Sequence, residues 1–339
     1  MRDARILSYR ASEMLPSLET AAASDAGRGQ APFSAYDHGW FQLAFEAELQ
    51  PQGVTPLSLA GHPLIAVRAA AGGGVRVFDG VCPHRGADLG HGGRLAGDSI
   101  VCPFHAHRIG LGAESGDGFR AAEYPSLLQA GGLFVRLSER ERPDFPAGLL
   151  TLSREHRCVP GFEMAVATSV EVVIENGFDN AHFRAVHGLM SLPGLSCDQG
   201  EFGELRAEGR FEIPRTGWYE PPGGASGHLQ ARYVAHAFSP GVFISELDGD
   251  PPYRYRVMTT ATPGPAGAAT TVRLTLILPD LPGPNRDPRF VQELLQHSRN
   301  GLEQDRSIWE RLAPGHVPRL TPTDQAALAF AEFCRGFRR

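Results

Sequence analysis

Cys82-Pro83-His84, followed after residues 85–101 by Cys102-Pro103-Phe104-His105, is the stretch that decides the fold. Each cysteine is trailed by its own histidine, first as Cys-x-His and then as Cys-x-x-His. Pro and Gly crowd both segments, as in PHRGADLGHGG, and let the backbone approach whatever the side chains hold. On either side the text is short apolar runs separated by Gly: PLIAVRA, VRVFDG, SIVCPF and LFVRLS. Each has the length and β-branched content of a strand. The two Cys-His segments are therefore loops of a small all-β domain with Gly-rich turns.

Two Cys and two His also suit tetrahedral zinc, because the ligand types are the same. Zinc modules of this set pair Cys with Cys and His with His at short spacing, whereas here the types alternate. A Rieske [2Fe-2S] centre needs each of two loops to present one thiolate to one iron and one imidazole to the other, and Cys82, His84, Cys102 and His105 supply that division. Neutral imidazoles in place of two thiolates raise the reduction potential, and backbone N–H groups near the sulfurs raise it further. His91 and His107 are read as surface or supporting residues. Cys158, Cys197 and Cys334 are read as free thiols.

Reading outward, residues 1–32 form an N-terminal arm, residues 33–145 the all-β domain and residues 146–339 a second domain. The segment RERPDFPAGLL, with Pro143 and Pro146 and no apolar period, is the linker between them. Beyond it a β-branched run at 170–174 passes into a mixed segment ending at Gly188, a helix C-cap signal. The runs GELRAEGRFEIP, HLQARYVAHAF, GVFISEL, YRYRVMTTATP and TTVRLTLILP follow, several of them alternating as half-buried strands do. Residues 286–312 place Phe290, Leu294, Leu295, Leu302, Ile308, Trp309 and Leu312 at near-helical spacing, and 323–337 behaves similarly. The second domain is thus α+β, a curved antiparallel sheet with long helices near its end.

The second chemical constellation is Asn176-Gly177-Phe178-Asp179-Asn180-Ala181-His182-Phe183-Arg184-Ala185-Val186-His187. On one continuous helix Asn176, Asp179 and His182, spaced by three, share a face. His187 joins the same metal only if the helix ends or distorts, which Gly188 permits. Two imidazoles and one carboxylate on Fe(II) leave open positions where dioxygen and substrate can meet. By spacing alone the carboxylate is Asp179, Asp305 or Glu303.

The formal net charge of −6 and the pI near 6.1 point away from nucleic acid and anionic membranes and towards a small molecule or a protein partner. The first thirty residues hold no signal-peptide stretch and no segment approaches a membrane span, so the expected location is the cytoplasm. Five cysteines, an odd number without an export signal, argue against a disulfide framework.

CPHRGADLG with CPFH, NGFDNAHFRAVH and LEQDRSIWERL together resemble the oxygenase component of the Rieske non-haem iron oxygenases, over roughly residue 36 to the C-terminus. The last motif is similar to the homotrimeric α-subunits that act on steroids and other alicyclic or heterocyclic substrates. The resemblance implies a helix-grip (START-like) catalytic domain, with His182, His187 and Asp305 as iron ligands and Asn176 close by. It also implies a head-to-tail trimer, in which Asp179 bridges His182 of one subunit to His105, or else His84, of the next. Such a carboxylate would fix both rings by accepting their N–H groups. Electrons would come from NAD(P)H through a flavin reductase, a ferredoxin or both, and a monooxygenase rather than a dioxygenase is implied. Where the family commonly has Gly-Trp after the second cluster histidine, this chain has Ala106-His107.

The expected activity is hydroxylation or oxidative demethylation of a small, largely apolar substrate. Phe178, Met190, Phe238, Phe243, Ile244 and Tyr255 are the candidate pocket walls. The rival is an electron-transfer protein whose C-terminal domain binds a ligand without catalysis.

Overall fold

The computed structural model describes residues 36, 38–70, 73–112, 117–138, 143–214, 228–249, 254–265, 269–280, 283–313 and 315–338. The expected arm over 1–32 lies outside them. Eleven described strands precede the first α-helix: β1 (Trp40–Phe45), β2 (Gly53–Leu59), β3 (His62–Arg68), β4 (Val75–Asp79), β5 (Arg94–Ala96), β6 (Ser99–Val101), β7 (Arg108–Leu111), β8 (Phe119–Ala121), β9 (Glu123–Tyr124), β10 (Ser126–Gln129) and β11 (Gly132–Arg136). They form three small sheets, ordered β1-β11-β10, β2-β3-β4-β9 and β5-β6-β7-β8. The Cys82 loop leaves β4 and the Cys102 loop joins β6 to β7.

Helix α1 (Phe145–Ser153) then leads into β12 (His156–Val166), α2 (Val170–Glu175) and α3 (Asn180–Ala185). Strands β13 (Ser196–Gln199), β14 (Leu205–Pro214), β15 (His228–Ser239), β16 (Val242–Asp248), β17 (Arg254–Thr262) and β18 (Thr270–Pro279) follow, and α4 (Pro288–Trp309) and α5 (Gln325–Arg335) close the chain. The strands make a seven-stranded antiparallel sheet ordered β12-β18-β17-β16-β15-β14-β13. The β-branched run at 170–174 is helical despite the strand preference of its side chains. Ser169 Oγ accepts from Val172 N at 3.3 Å, and Val170, Val173 and Ile174 are buried at helical spacing, so packing overrides propensity.

The large sheet is buried on both faces, and strand alternation separates them. Phe211, Tyr233, Phe243 and Leu247 point inward with Phe178, Phe183, Leu302 and Trp309. Phe238, Val242, Ile244, Met258 and Ile277 point the other way, against Trp40, Phe134, Phe145 and Leu149. That outer face also carries an ionic chain: His236 lies 3.1 Å from Glu204 and 2.9 Å from Glu246, Arg256 pairs with Glu246 at 2.7 Å, and Arg256 Nη1 donates to Leu152 O of α1 at 2.6 Å. Burial works against charge on His236, but its two carboxylate partners raise its pKa above the ordinary range.

Phe145 locks the small sheets to the large one. It is fully buried, and its ring lies 4.9 Å from Phe134, 5.8 Å from Trp40 and 5.5 Å from Phe238. Phe145→Ala should cost about 3–5 kcal/mol through the cavity left at that junction. Urea unfolding followed by intrinsic fluorescence would show the lowered midpoint, and a shift below about 1 kcal/mol would mean that the junction collapses around the gap.

Candidate metal centres

The two Cys-His loops are the same backbone turn built twice. Cys82 N donates to Ala87 O at 2.8 Å and Gly86 N donates to Cys82 O at 2.8 Å. Cys102 N donates to His107 O at 2.9 Å and Ala106 N donates to Cys102 O at 3.1 Å. The turn requires a left-handed residue at its fifth position, filled by Gly86 (φ +77°) in one loop and Ala106 (φ +58°) in the other. Ala106 carries the steric cost that glycine avoids. Ala106→Gly should therefore raise stability by about 0.5–1 kcal/mol, part of the gain being offset by the freer unfolded chain. Calorimetry of the cluster-loaded protein checks it, and a lower melting temperature would show the methyl to be a packing contact.

The thiols of Cys82 and Cys102 are buried, while the rings of His84 and His105 stand at the surface, 4.9 Å apart and nearly perpendicular. Burial pushes the Cys82 thiol up. For Cys102 burial acts the same way, but the amides of Phe104 and His105 aimed at its sulfur, together with Cys82, bring it below the ordinary thiol value. His84 sits below the ordinary histidine range through desolvation first and its neighbours His107, His105 and Arg85 second, which favours the neutral imidazole that ligation needs. His107 packs edge-on against His84 at 4.5 Å and reaches Asp117 at 3.6 Å, so it supports the site, while His91 is exposed and paired with Asp88 at 2.9 Å. Thiolates inside, imidazoles outside and amides aimed at sulfur are what a Rieske cluster asks of a protein.

At the second centre the expected continuous helix is broken. Helix α2 ends at Glu175, residues 176–178 form a single 3-10 turn, and Asp179 is extended (φ −89°, ψ 110°) before α3 restarts at Asn180. The break arises because Asp179 Oδ1 accepts from Ala181 N at 2.8 Å and His182 N at 3.3 Å, the arrangement of an N-cap. It turns His182 inward. The expected hydrogen bond from the His182 ring goes to the Asp179 main chain and not to its carboxylate: Nδ1 donates to the carbonyl oxygen at 2.8 Å. In the same way His187 Nδ1 donates to Gln304 Oε1 at 3.2 Å. With Nδ1 so engaged, each ring turns its Nε2 to the side where Asn176 and Asp305 stand.

Asp305 comes to that point from α4. His182, His187 and Asp305 each offer one ligand atom, all within 4.8 Å of one another. His187 Nε2 is 3.2 Å from Asp305 Oδ1, and the Asn176 amide nitrogen lies 3.0 Å from both His182 Nε2 and Asp305 Oδ2. Burial lowers the His182 pKa; on His187 burial acts the same way, but the hydrogen bond and charge of Asp305 together with the hydrogen bond to Gln304 outweigh it and raise the pKa. The donor set, two imidazoles each held through Nδ1 and one buried carboxylate, fits a divalent iron with positions to spare.

Of the three candidate carboxylates only Asp305 reaches the histidines: Glu303 is exposed beside Arg306 at 3.6 Å, and Asp179 is occupied as a cap on Oδ1. Among the expected pocket walls, Phe178 and Phe243 lie together on the inner side, with rings 5.8 Å apart. Tyr255 packs under α4 with Phe290 and Leu294. Phe238 and Ile244 face the opposite side, against α1, and so are corrected to outer-face core. Met190 is 52% exposed, outside any described wall. Sequence reasoning missed Gln304, although it adjoins Asp305, because nothing in the spacing ties it to His187.

Residues 39–125 match the family model of the Rieske [2Fe-2S] domain, and residues 139–330 match that of the 3-ketosteroid 9alpha-hydroxylase C-terminal domain. The chain belongs to the Rieske non-haem iron oxygenases. In this family the cofactors are the Rieske [2Fe-2S] cluster and a mononuclear iron. A probable 3-ketosteroid-9-alpha-monooxygenase, oxygenase component, of Rhodococcus rhodochrous is 24% identical over 321 residues, 86% of this chain and 77% of that one. Cholesterol 7-desaturase of Drosophila melanogaster is 27% identical over 165 residues, 45% of this chain but only 38% of the relative. The match to such desaturases therefore spans less than half of their length. Among solved Rieske oxygenases, dicamba monooxygenase shares the fold with a TM-score of 0.67 at 18% identity, covering 88% of this chain and 96% of that one. Among the described residues no helix is long and apolar enough to cross a membrane.

Proposed function

We propose that the chain is the terminal oxygenase component of a multi-protein monooxygenase, with residues 33–145 as the electron-accepting domain and 146–339 as the catalytic one. It receives electrons that originate in NAD(P)H from a ferredoxin, a flavin reductase or both, and it oxidises a small, largely apolar molecule in the cytoplasm. The observation that carries this is the convergence of His182, His187 and Asp305 beside an apolar inner sheet face, in the chain that also holds the Cys-His loops. When bound, the cluster supplies one-electron transfer and the iron supplies dioxygen activation. Asp179 and Gln304 fix the two rings, Asn176 holds Asp305 in place, and Phe211, Phe243, Tyr233, Leu247 and Leu302 exclude water and orient the substrate.

That lining is aliphatic and aromatic, and its one phenol, Tyr233, already donates to Gly177 O at 3.0 Å. A rigid ring system with few polar groups suits such walls better than a charged metabolite. The steroid-related names of the sequence relatives favour the same class. The working unit is a head-to-tail trimer, in which the surface rings of His84 or His105 in one subunit approach Asp179 of the next.

Substrate-dependent oxygen uptake tests the function. The chain would be produced anaerobically with iron, analysed for iron and acid-labile sulfide, and supplied with NADH and a heterologous reductase-ferredoxin pair. Uptake that rises on adding a 3-ketosteroid, with oxygenated product formed in step, is the expected outcome. A cluster that turns over with the reductase while no ring compound stimulates uptake would instead mark an electron carrier.

A further inference from the structure

Most glycines of this chain that lie in tight places have a visible reason. A Cβ at Gly177 would sit 2.3 Å from the Phe243 ring, one at Gly148 2.3 Å from Phe238, and one at Gly161 2.6 Å from Leu295. Gly301 is different. It stands in the interior of α4 with ordinary helical backbone, where glycine is the worst residue short of proline. Among the described residues, the only atom that a Cβ there would meet within 4 Å is Cε1 of His187, at 3.8 Å. Alanine would fit, and packing gives no reason for its absence.

The place where this room opens is specific. Gly301 is one turn before Asp305 on the same helix face and next to Leu302, which packs into the inner core. One turn earlier, Ser298 turns its hydroxyl back onto Leu294 O at 2.9 Å, so this stretch of α4 offers no free hydroxyl to the space beside His187. Phe211, Tyr233 and Leu247 of the inner sheet face belong to the same apolar cluster as Leu302.

We propose that Gly301 is a specificity-determining position: it keeps the α4 wall low beside His187, so that a wide, flat ring system can lie against the helix backbone next to the metal. The helix gives up intrinsic stability for that width. This rests on the apolar-substrate oxygenase reading above, and its test separates the two.

Wild type, Gly301→Ala and Gly301→Leu would be prepared as holoproteins and checked for equal iron and sulfide. Kinetics would be measured with androst-4-ene-3,17-dione, a four-ring probe, and with dicamba, a one-ring probe. Gly301→Leu should raise the KM for the four-ring probe by about tenfold or more while changing that for the one-ring probe by less than about twofold. Gly301→Ala should melt about 2 °C above wild type, since it gains helix propensity without a clash. An unchanged four-ring KM in Gly301→Leu, or equal losses for both probes, overturns the proposal. A wild type that turns over neither probe overturns the substrate class, and Gly301 is then decided by melting alone: Gly301→Ala melting below wild type would show a packing glycine and overturn its role.

Discussion

Asp305→Ala should lose the mononuclear iron and at least about 10³-fold of substrate-dependent oxygen uptake, while the cluster is assembled and reduced as in wild type. Asp305 is 4% exposed, lies 3.2 Å from His187 Nε2, and is linked to His182 through the Asn176 amide. Removing it leaves two neutral imidazoles and an amide to hold a dication in a buried place, without the anion that offsets its desolvation. The Cys-His loops are closed by their own backbone hydrogen bonds and share no described hydrogen bond with α4, so their metal should be indifferent to the change. Iron and sulfide analysis with EPR of the reduced protein separates the two centres. An Asp305→Ala protein that keeps its third iron would remove Asp305 from the ligand set.

Mixing two inactive variants should restore activity. Cys102→Ser disables the cluster but keeps the iron site, and His182→Ala does the reverse, so each alone should fall by about 10³-fold or more. In co-expressed mixed trimers, about a quarter of the junctions would join an intact cluster to an intact neighbouring iron site, and activity should return to that order. The expectation follows from placement: His84 and His105 are at the surface, and Asp179 Oδ2 makes no hydrogen bond among the described residues. Should Cys102→Ser fold poorly, His105→Asn serves as the cluster partner. A mixture as inactive as its parents would assign electron transfer to the interior of a single subunit.

What could be read from sequence followed the distance between partners. The cluster set was legible because each Cys sits beside its His on a Gly- and Pro-rich loop, and short spacing limits geometry tightly. The iron histidines were legible for the same reason, but Asp305, 118 residues after His187 (305 − 187), was not singled out by spacing. The break at Asp179 escaped because Asn, Asp and His at intervals of three satisfy a helix until the side chain of Asp179 is seen to cap the next one. Phe238 and Ile244 were misread as pocket walls for another reason. Both faces of the large sheet are buried, so Phe238 and Phe243 look equally apolar in sequence, and only a partner such as α1 or α4 tells the faces apart.

Asp179 draws several duties into one residue: its carboxylate starts α3, its carbonyl sets the His182 tautomer, and its Oδ2, without a hydrogen bond among the described residues, is the atom assigned to the proposed relay. A change there cannot tune one property in isolation. For anyone transplanting this site to another scaffold, the unit to move is the whole turn from Glu175 to His187, since the side chain without its helix break would deliver a carboxylate but misaim the ring. The same economy makes the position a poor place for neutral drift, because a substitution that spares the start of α3 still has to spare the aim of His182.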